Sequence, residues 1–203
     1  MSEEKINVEA IRHRTLVAME ILDTEAEGEF DALVMAARRI FGSRTAYISL
    51  IDGDRQWFKA REGFAPSEVS RECSICATAV DENREIVVEN LQEHPVYGQM
   101  PDIVAMPHFQ FFVTIPLMGP PMDGVSVPIG TLCVIDDRPW VASREELDEL
   151  RRLAHVVESL FQTRLDAKLA EAALEERRQL IDELRRVQRQ FELAEEMAQI
   201  GHW

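Results

Sequence analysis

Cysteine carries the most reactive chemistry in this sequence. There are three: Cys73 and Cys76, spaced as Cys-x-x-Cys, and Cys133 far downstream. On a helix, residues i and i+3 face one another, so the first pair has the spacing of redox or metal-binding thiols. No second Cys pair follows and no His/Cys cluster completes a tetrahedral set, so no metal is expected. Free cysteine is among the most buried residue types, which makes three structural thiols the leading reading. A thiol redox sensor using Cys73 and Cys76 is the alternative. His94 and His108, set among Pro95, Pro101 and Pro107, are geometric candidates for a haem axial ligand. Loop histidines are far more often simply solvated, and no cofactor is expected. The sequence has no Gly-x-Ser-x-Gly, no phosphate-cradling Gly loop and no His-Glu-x-x-His, so no catalytic residue is assigned.

The elements that must position these residues fall into two regions. All nine prolines lie at or before Pro139 and eight of nine glycines at or before Gly130, whereas Trp140 to Ile200 contains neither. Breakers mark turns and are expelled from helix interiors, so a turn-rich globule precedes one long helix. Pro139 stops what comes before, and Ser143 with Glu146 fits a capping box. A seven-residue period follows through Leu153, Leu160, Ala167, Leu174, Ile181 and Gln188, with partners Val156, Thr163, Ala170, Arg177, Leu184 and Phe191. Only Thr163, Arg177 and Gln188 are polar, which favours a coiled-coil seam and a parallel homodimer over a solvated helix. Residues 143–160 are expected to pack on their own domain; beyond about Leu165 no chain remains to cover the stripe.

The globular part alternates helix and strand. Asp23-Thr24 followed by Glu27 reads as a capped start, and Phe30, Leu33, Val34, Ala37, Ile40 and Phe41 share one helical face that Gly42 ends. Thr45 to Ile51, the turn Asp52-Gly53-Asp54 and Gln56 to Arg61 read as a hairpin. Ser70 to Val80 reads as a short helix, Glu85 to Asn90 as a short strand and residues 91–108 as a loop. Phe109 to Met118 and Pro128 to Asp136 read as long strands. The expected fold is α+β with a mostly antiparallel sheet.

Several blocks then resemble one family. Arg14-Thr15-Leu16, Ile21-Leu22-Asp23-Thr24, Phe30-Asp31, the run Ile51 to Ala60, Ser74-Ile75-Cys76-Ala77, Ile115-Pro116-Leu117 and the run Ile129 to Asp136 resemble bacterial GAF domains of signalling proteins, in order and with family-like spacing. The resemblance implies a six-stranded antiparallel sheet flanked by helices, a ligand-sized pocket on one face, and dimerisation through terminal helices. It places the pocket near Trp57, Phe58, Cys76, Phe109, Phe111 and Phe112, with Gln110 or Thr114 offering hydrogen bonds. Strand alternation allows only about half of these to face it. Relatives commonly have Arg where Gln110 stands, so an anionic ligand is disfavoured; a filled core is the competing reading. Cys76 precedes Ala77 rather than His, which argues against a bilin.

Residues from Glu192 to Trp203 are similar to the opening of a PAS domain, which makes the sequence read as a piece of a longer protein. The expected division is a GAF domain over 1–160, a coiled-coil linker helix over 161–195 and the start of a PAS domain over 196–203. A sensor histidine kinase or a cyclic-dinucleotide enzyme would be the usual output for this layout. The 203 residues carry a net charge of −15, which argues against nucleic acid or an anionic membrane as partner. Apolar runs stay short of the ~20 residues that span a bilayer, so a cytoplasmic protein is expected.

Overall fold

The computed structural model describes residues 3–72, 74–105 and 108–200. Six strands form one sheet: β1 (Thr45–Asp52), β2 (Arg55–Glu62), β3 (Glu68–Ser70), β4 (Ile86–Val88), β5 (Phe111–Met118) and β6 (Pro128–Asp136). Their order is β3-β2-β1-β6-β5-β4, with every neighbouring pair antiparallel. The central strands are buried almost throughout, because both sheet faces are covered. Where β1 and β6 close, Gly130 leaves no alternative: a Cβ there would stand 2.0 Å from the Ser49 carbonyl oxygen.

One face carries α1 (Glu3–Met19), α2 (Gly28–Phe41) and the base of α5 (Arg144–Ile200). Phe41 of α2 lies 5.8 Å from Phe111 of β5, and Phe30 lies 5.9 Å from Phe161 of α5. The opposite face carries α3 (Ile75–Glu82). The 91–108 stretch holds two 3-10 turns, Leu91–Glu93 and Tyr97–Gln99, and the short helix α4 (Pro101–Ala105).

Three local expectations change. Ser70 belongs to β3 rather than to a helix, and α3 starts at Ile75 with Ser74 as its cap. Glu27, not Asp23-Thr24, precedes α2, because the Thr24 hydroxyl already donates to the Ile21 carbonyl at 2.8 Å and accepts from Lys59. The 91–108 stretch is partly helical rather than plain loop. The expected box at α5 is present: Glu146 N–H donates to Ser143 Oγ at 3.2 Å, and Ser143 N–H to Glu146 Oε2 at 2.7 Å.

The chain divides into two units, one ending at Arg164 and one from Leu165 on. In the first, Leu150, Ala154, Val157 and Phe161 are buried, while Val156 of the heptad stripe is half exposed at 47%. In the second, every side chain from residue 171 to 190 is exposed, including Leu174, Ile181 and Leu184. The side chain of Phe191 and the PAS-like ending Gly201-His202-Trp203 lie outside the described residues. Among the described residues no helix is long and apolar enough to cross a membrane.

Candidate functional site

The α3 face of the sheet is aromatic at its rim and polar at its base. Tyr47, Phe58 and Phe64 pack mutually, with ring centroids 4.8–5.5 Å apart, and Phe109 and Phe112 join them. Together with Gln56, Ser74, Cys76 and Ile103 these side chains line a cavity of about 60 Å³. Pockets for drug-sized ligands measure roughly 300–1,000 Å³. The arrangement is therefore a nearly filled core.

A chain of buried polar groups places α3 on the sheet. Thr131 and Ser49 share a hydrogen bond of 3.0 Å, Gln56 Nε2 donates to Ser49 Oγ at 2.8 Å, and Ser74 Oγ donates to Gln56 Oε1. Ser74 Oγ then accepts the Ala77 N–H at 3.0 Å, capping the helix. Deeper, the Cys76 thiol lies 3.5 Å from Tyr47 Oη and 3.7 Å from Thr114 Oγ1. Burial pushes Cys76 up, but hydrogen bonds from Cys133, Thr131, Tyr47 and Thr114 outweigh it and hold the thiol below its ordinary value. Cys133 and Tyr47 are both pushed up, first by burial.

Of the residues that sequence reasoning placed at a pocket, the structure brings Phe58, Cys76, Phe109, Phe112 and Thr114 together. Trp57 and Phe111 face the opposite side: Trp57 lies 6.0 Å from the Lys59 ammonium beneath α2, and Phe111 stacks on Phe41. The reason is alternation, since neighbours on a strand point to opposite faces and both faces are apolar here. Gln110 is half buried just before β5, with its N–H on the Asp136 carbonyl at 2.9 Å. Cys73 lies outside the described residues, so the Cys73/Cys76 pair has no geometry here. Gln56, Ser74 and Tyr47 were missed as site residues. The signal was polarity within an otherwise apolar strand for Gln56 and Tyr47, and the helix-capping position for Ser74.

His94 Nδ1 accepts the Val96 and Tyr97 N–H groups at 3.3 and 3.0 Å, and its ring stacks on Tyr97 at 4.5 Å. Its ring is thus engaged locally, while His108 is exposed. Among the described residues no group of three His, Cys, Asp or Glu side chains could hold a metal ion.

The other sheet face holds a second constellation, at the base of α5. Lys59 of β2 is buried, and its ammonium donates to Thr24 Oγ1 at 2.7 Å, the Glu25 carbonyl at 2.9 Å and Glu27 Oε1 at 2.5 Å. Arg164 of α5 grips the same carboxylate with Nη1 at 2.8 and 3.0 Å, and donates to the Met19 and Glu20 carbonyls. Glu27 and Arg164 together thus join the sheet, the start of α2, the end of α1 and the outgoing helix. Burial pushes the Glu27 carboxyl up, but Lys59 and Arg164 together prevail and hold it below the ordinary 4.5.

Glu27→Gln leaves Lys59 buried beside a neutral amide and should cost about 2 kcal/mol at neutral pH, less than a fully buried pair because Glu27 is partly exposed. A group whose folded pKa is depressed stabilises above its unfolded pKa and loses that contribution as pH falls through the folded value. Urea denaturation of both proteins should therefore show the gap shrinking below pH 4.5. A gap unchanged across that range would remove the network from the stability of the fold.

The model of the GAF domain matches residues 25–160. The chain belongs to the GAF family. A cyclic di-GMP phosphodiesterase of Pseudomonas aeruginosa is 30% identical over 119 residues, 59% of this chain and 20% of that protein. The chain therefore spans about a fifth of that relative. A domain of a two-component sensor histidine kinase protein from Sinorhizobium meliloti superposes with a TM-score of 0.53 at 21% identity, over 72% of this chain and 97% of that one. The PixJ GAF domain of Thermosynechococcus elongatus gives 0.59 at 14% identity, over 73% and 92%. At these identities the structural likenesses establish the fold alone, and that fold is the six-stranded GAF sheet expected from the sequence.

Proposed function

We propose that this GAF domain is a non-enzymatic sensory and dimerisation module of a bacterial, cytoplasmic signalling protein. In this reading residues 1–160 are the module and 161–195 a parallel coiled-coil linker. Residues 196–203 open a PAS domain that leads to an output such as a histidine kinase or a cyclic-dinucleotide enzyme. The observation that carries it is the base of α5. Phe161 is fully buried against Phe30 of α2 and Arg164 shares Glu27 with the sheet residue Lys59, while the apolar stripe at Leu174, Ile181 and Leu184 is left exposed. A change of packing on the sheet would then reach a helix that two protomers share. Both arrangements must differ little in energy, which suits a seam interrupted by Thr163, Arg177 and Gln188.

The small cavity supports a second reading, a scaffold that dimerises without a ligand of its own and takes its stimulus from a neighbouring domain. Native mass spectrometry of freshly purified protein separates the two. A dimer with additional non-covalent mass supports a ligand-binding sensor, with Phe58, Cys76, Phe109, Gln110 and Thr114 as the residues to vary. A dimer of bare chain mass supports the scaffold, and a monomer at micromolar concentration would overturn both.

A further inference from the structure

The two described thiols lie in one buried cluster. Cys133 sits in the middle of β6, paired with Tyr47 of β1 on one side and Thr114 of β5 on the other. Residues directly opposite one another across antiparallel strands present their side chains to the same face. Cys76 reaches down from α3 to those same two side chains, at 3.5 Å from Tyr47 Oη and 3.7 Å from Thr114 Oγ1. A sulfur held by the two residues that flank Cys133 in the sheet lies on the Cys133 side of the sheet, within the same buried cluster. Both are free and buried.

The pair is chemically unequal. Hydroxyls surround Cys76 and favour its anion, whereas burial holds Cys133 protonated. Such a pair has one nucleophile and one resolving thiol, at the foot of a polar chain running through Gln56 to Ser74. Tyr47 and Thr114 fit this division of labour, because each can hydrogen-bond either sulfur as the charge moves.

We propose that Cys76 and Cys133 form a hydroperoxide-reactive dithiol whose oxidation ties α3 to the central strand of the sheet. The Cys76 thiolate attacks a peroxide oxygen, the O–O bond breaks, and the leaving hydroxide (alkoxide for an organic hydroperoxide) takes a proton and departs as water (or alcohol), leaving Cys76 as sulfenic acid. The Cys133 thiol then attacks the sulfenic sulfur. The S–S bond forms, the S–O bond breaks, and the hydroxyl leaves with the Cys133 proton as water. The two thiols lose two electrons and the peroxide gains them. This pairing differs from the Cys73/Cys76 pair suggested by spacing, and it does not depend on a ligand or on the relay.

The test uses the full chain with Cys73→Ser, so that only the two buried thiols remain. The folded protein is exposed to hydrogen peroxide, small enough for the cavity that Cys76 lines, then denatured without reductant for intact mass and peptide mapping. The expected result is loss of the mass of two hydrogens, reversed by dithiothreitol, with the Cys76 and Cys133 peptides joined within one chain. Adding Cys133→Ser should trap Cys76 as a sulfenic acid that dimedone labels, while Cys76→Ser should slow oxidation of Cys133 by about tenfold or more. Two results would overturn the proposal: both thiols intact at a dose that oxidises free cysteine, or Cys76 passing to sulfinic acid with no link formed. The first readout needs no change at either buried position, so it holds even where a serine variant at one of them fails to fold.

Discussion

Phe161→Ala should lower the stability of the protein by about 3–5 kcal/mol. Phe161 is fully buried on α5, faces Phe30 of α2 at 5.9 Å, and shares its side of the helix with Leu150, Ala154 and Val157. Truncation removes a ring that nothing nearby can replace, so the cost is the lost burial plus the cavity that remains. Phe161→Leu keeps most of the volume and should cost about 1 kcal/mol. Urea denaturation of the three proteins gives the comparison directly. If the base of α5 is part of the sheet's own core, movement of α2 or the sheet is felt by the helix. If the alanine variant loses less than about 1 kcal/mol, the helix is merely attached and the relay has no mechanical footing.

Much of this arrangement was legible because it rests on local rules. Gly42 ends α2 in the left-handed conformation, Ser143 and Glu146 box the start of α5, and β-branched runs mark the long strands. What could not be read was which face each strand residue takes. Trp57-Phe58 and Phe111-Phe112 are aromatic pairs on strands apolar on both sides, so hydrophobicity gives no parity. An irregularity in the β1–β2 register between Ile48 and Ser49 obscures it further. Lys59 was readable in principle, since a cation inside an apolar strand needs an acidic partner, but nothing local points to Glu27. The placing of Cys76 on the same side of the sheet as Cys133 is wholly topological: it exists because β6 lies between β1 and β5 and α3 packs on these strands. The Cys-x-x-Cys spacing drew attention to Cys73 instead.

The largest expected effect lies further along α5. Leu174→Asp with Ile181→Asp should convert the proposed coiled-coil dimer into a monomer. Burying a Leu or Ile side chain contributes about 1.5–3 kcal/mol, and a symmetric seam loses four such side chains when two positions change. Even the lower figure corresponds to a dissociation constant raised by about ten-thousandfold, before the repulsion between facing carboxylates is added. Sedimentation equilibrium measures the change. Far-UV circular dichroism should fall with it, because a helix solvated on all sides has no tertiary face to support it. Arg177→Leu with Gln188→Leu should act in the opposite sense, tightening the seam and favouring one register. The stripe is available for this use because α5 divides its faces. Leu150, Ala154, Val157 and Phe161 serve the sheet, while Val156, Leu174, Ile181 and Leu184 remain uncovered within one chain. A dimer that survives the double aspartate would place the interface elsewhere, and the exposed leucines at 169, 180 and 184 would then need another partner.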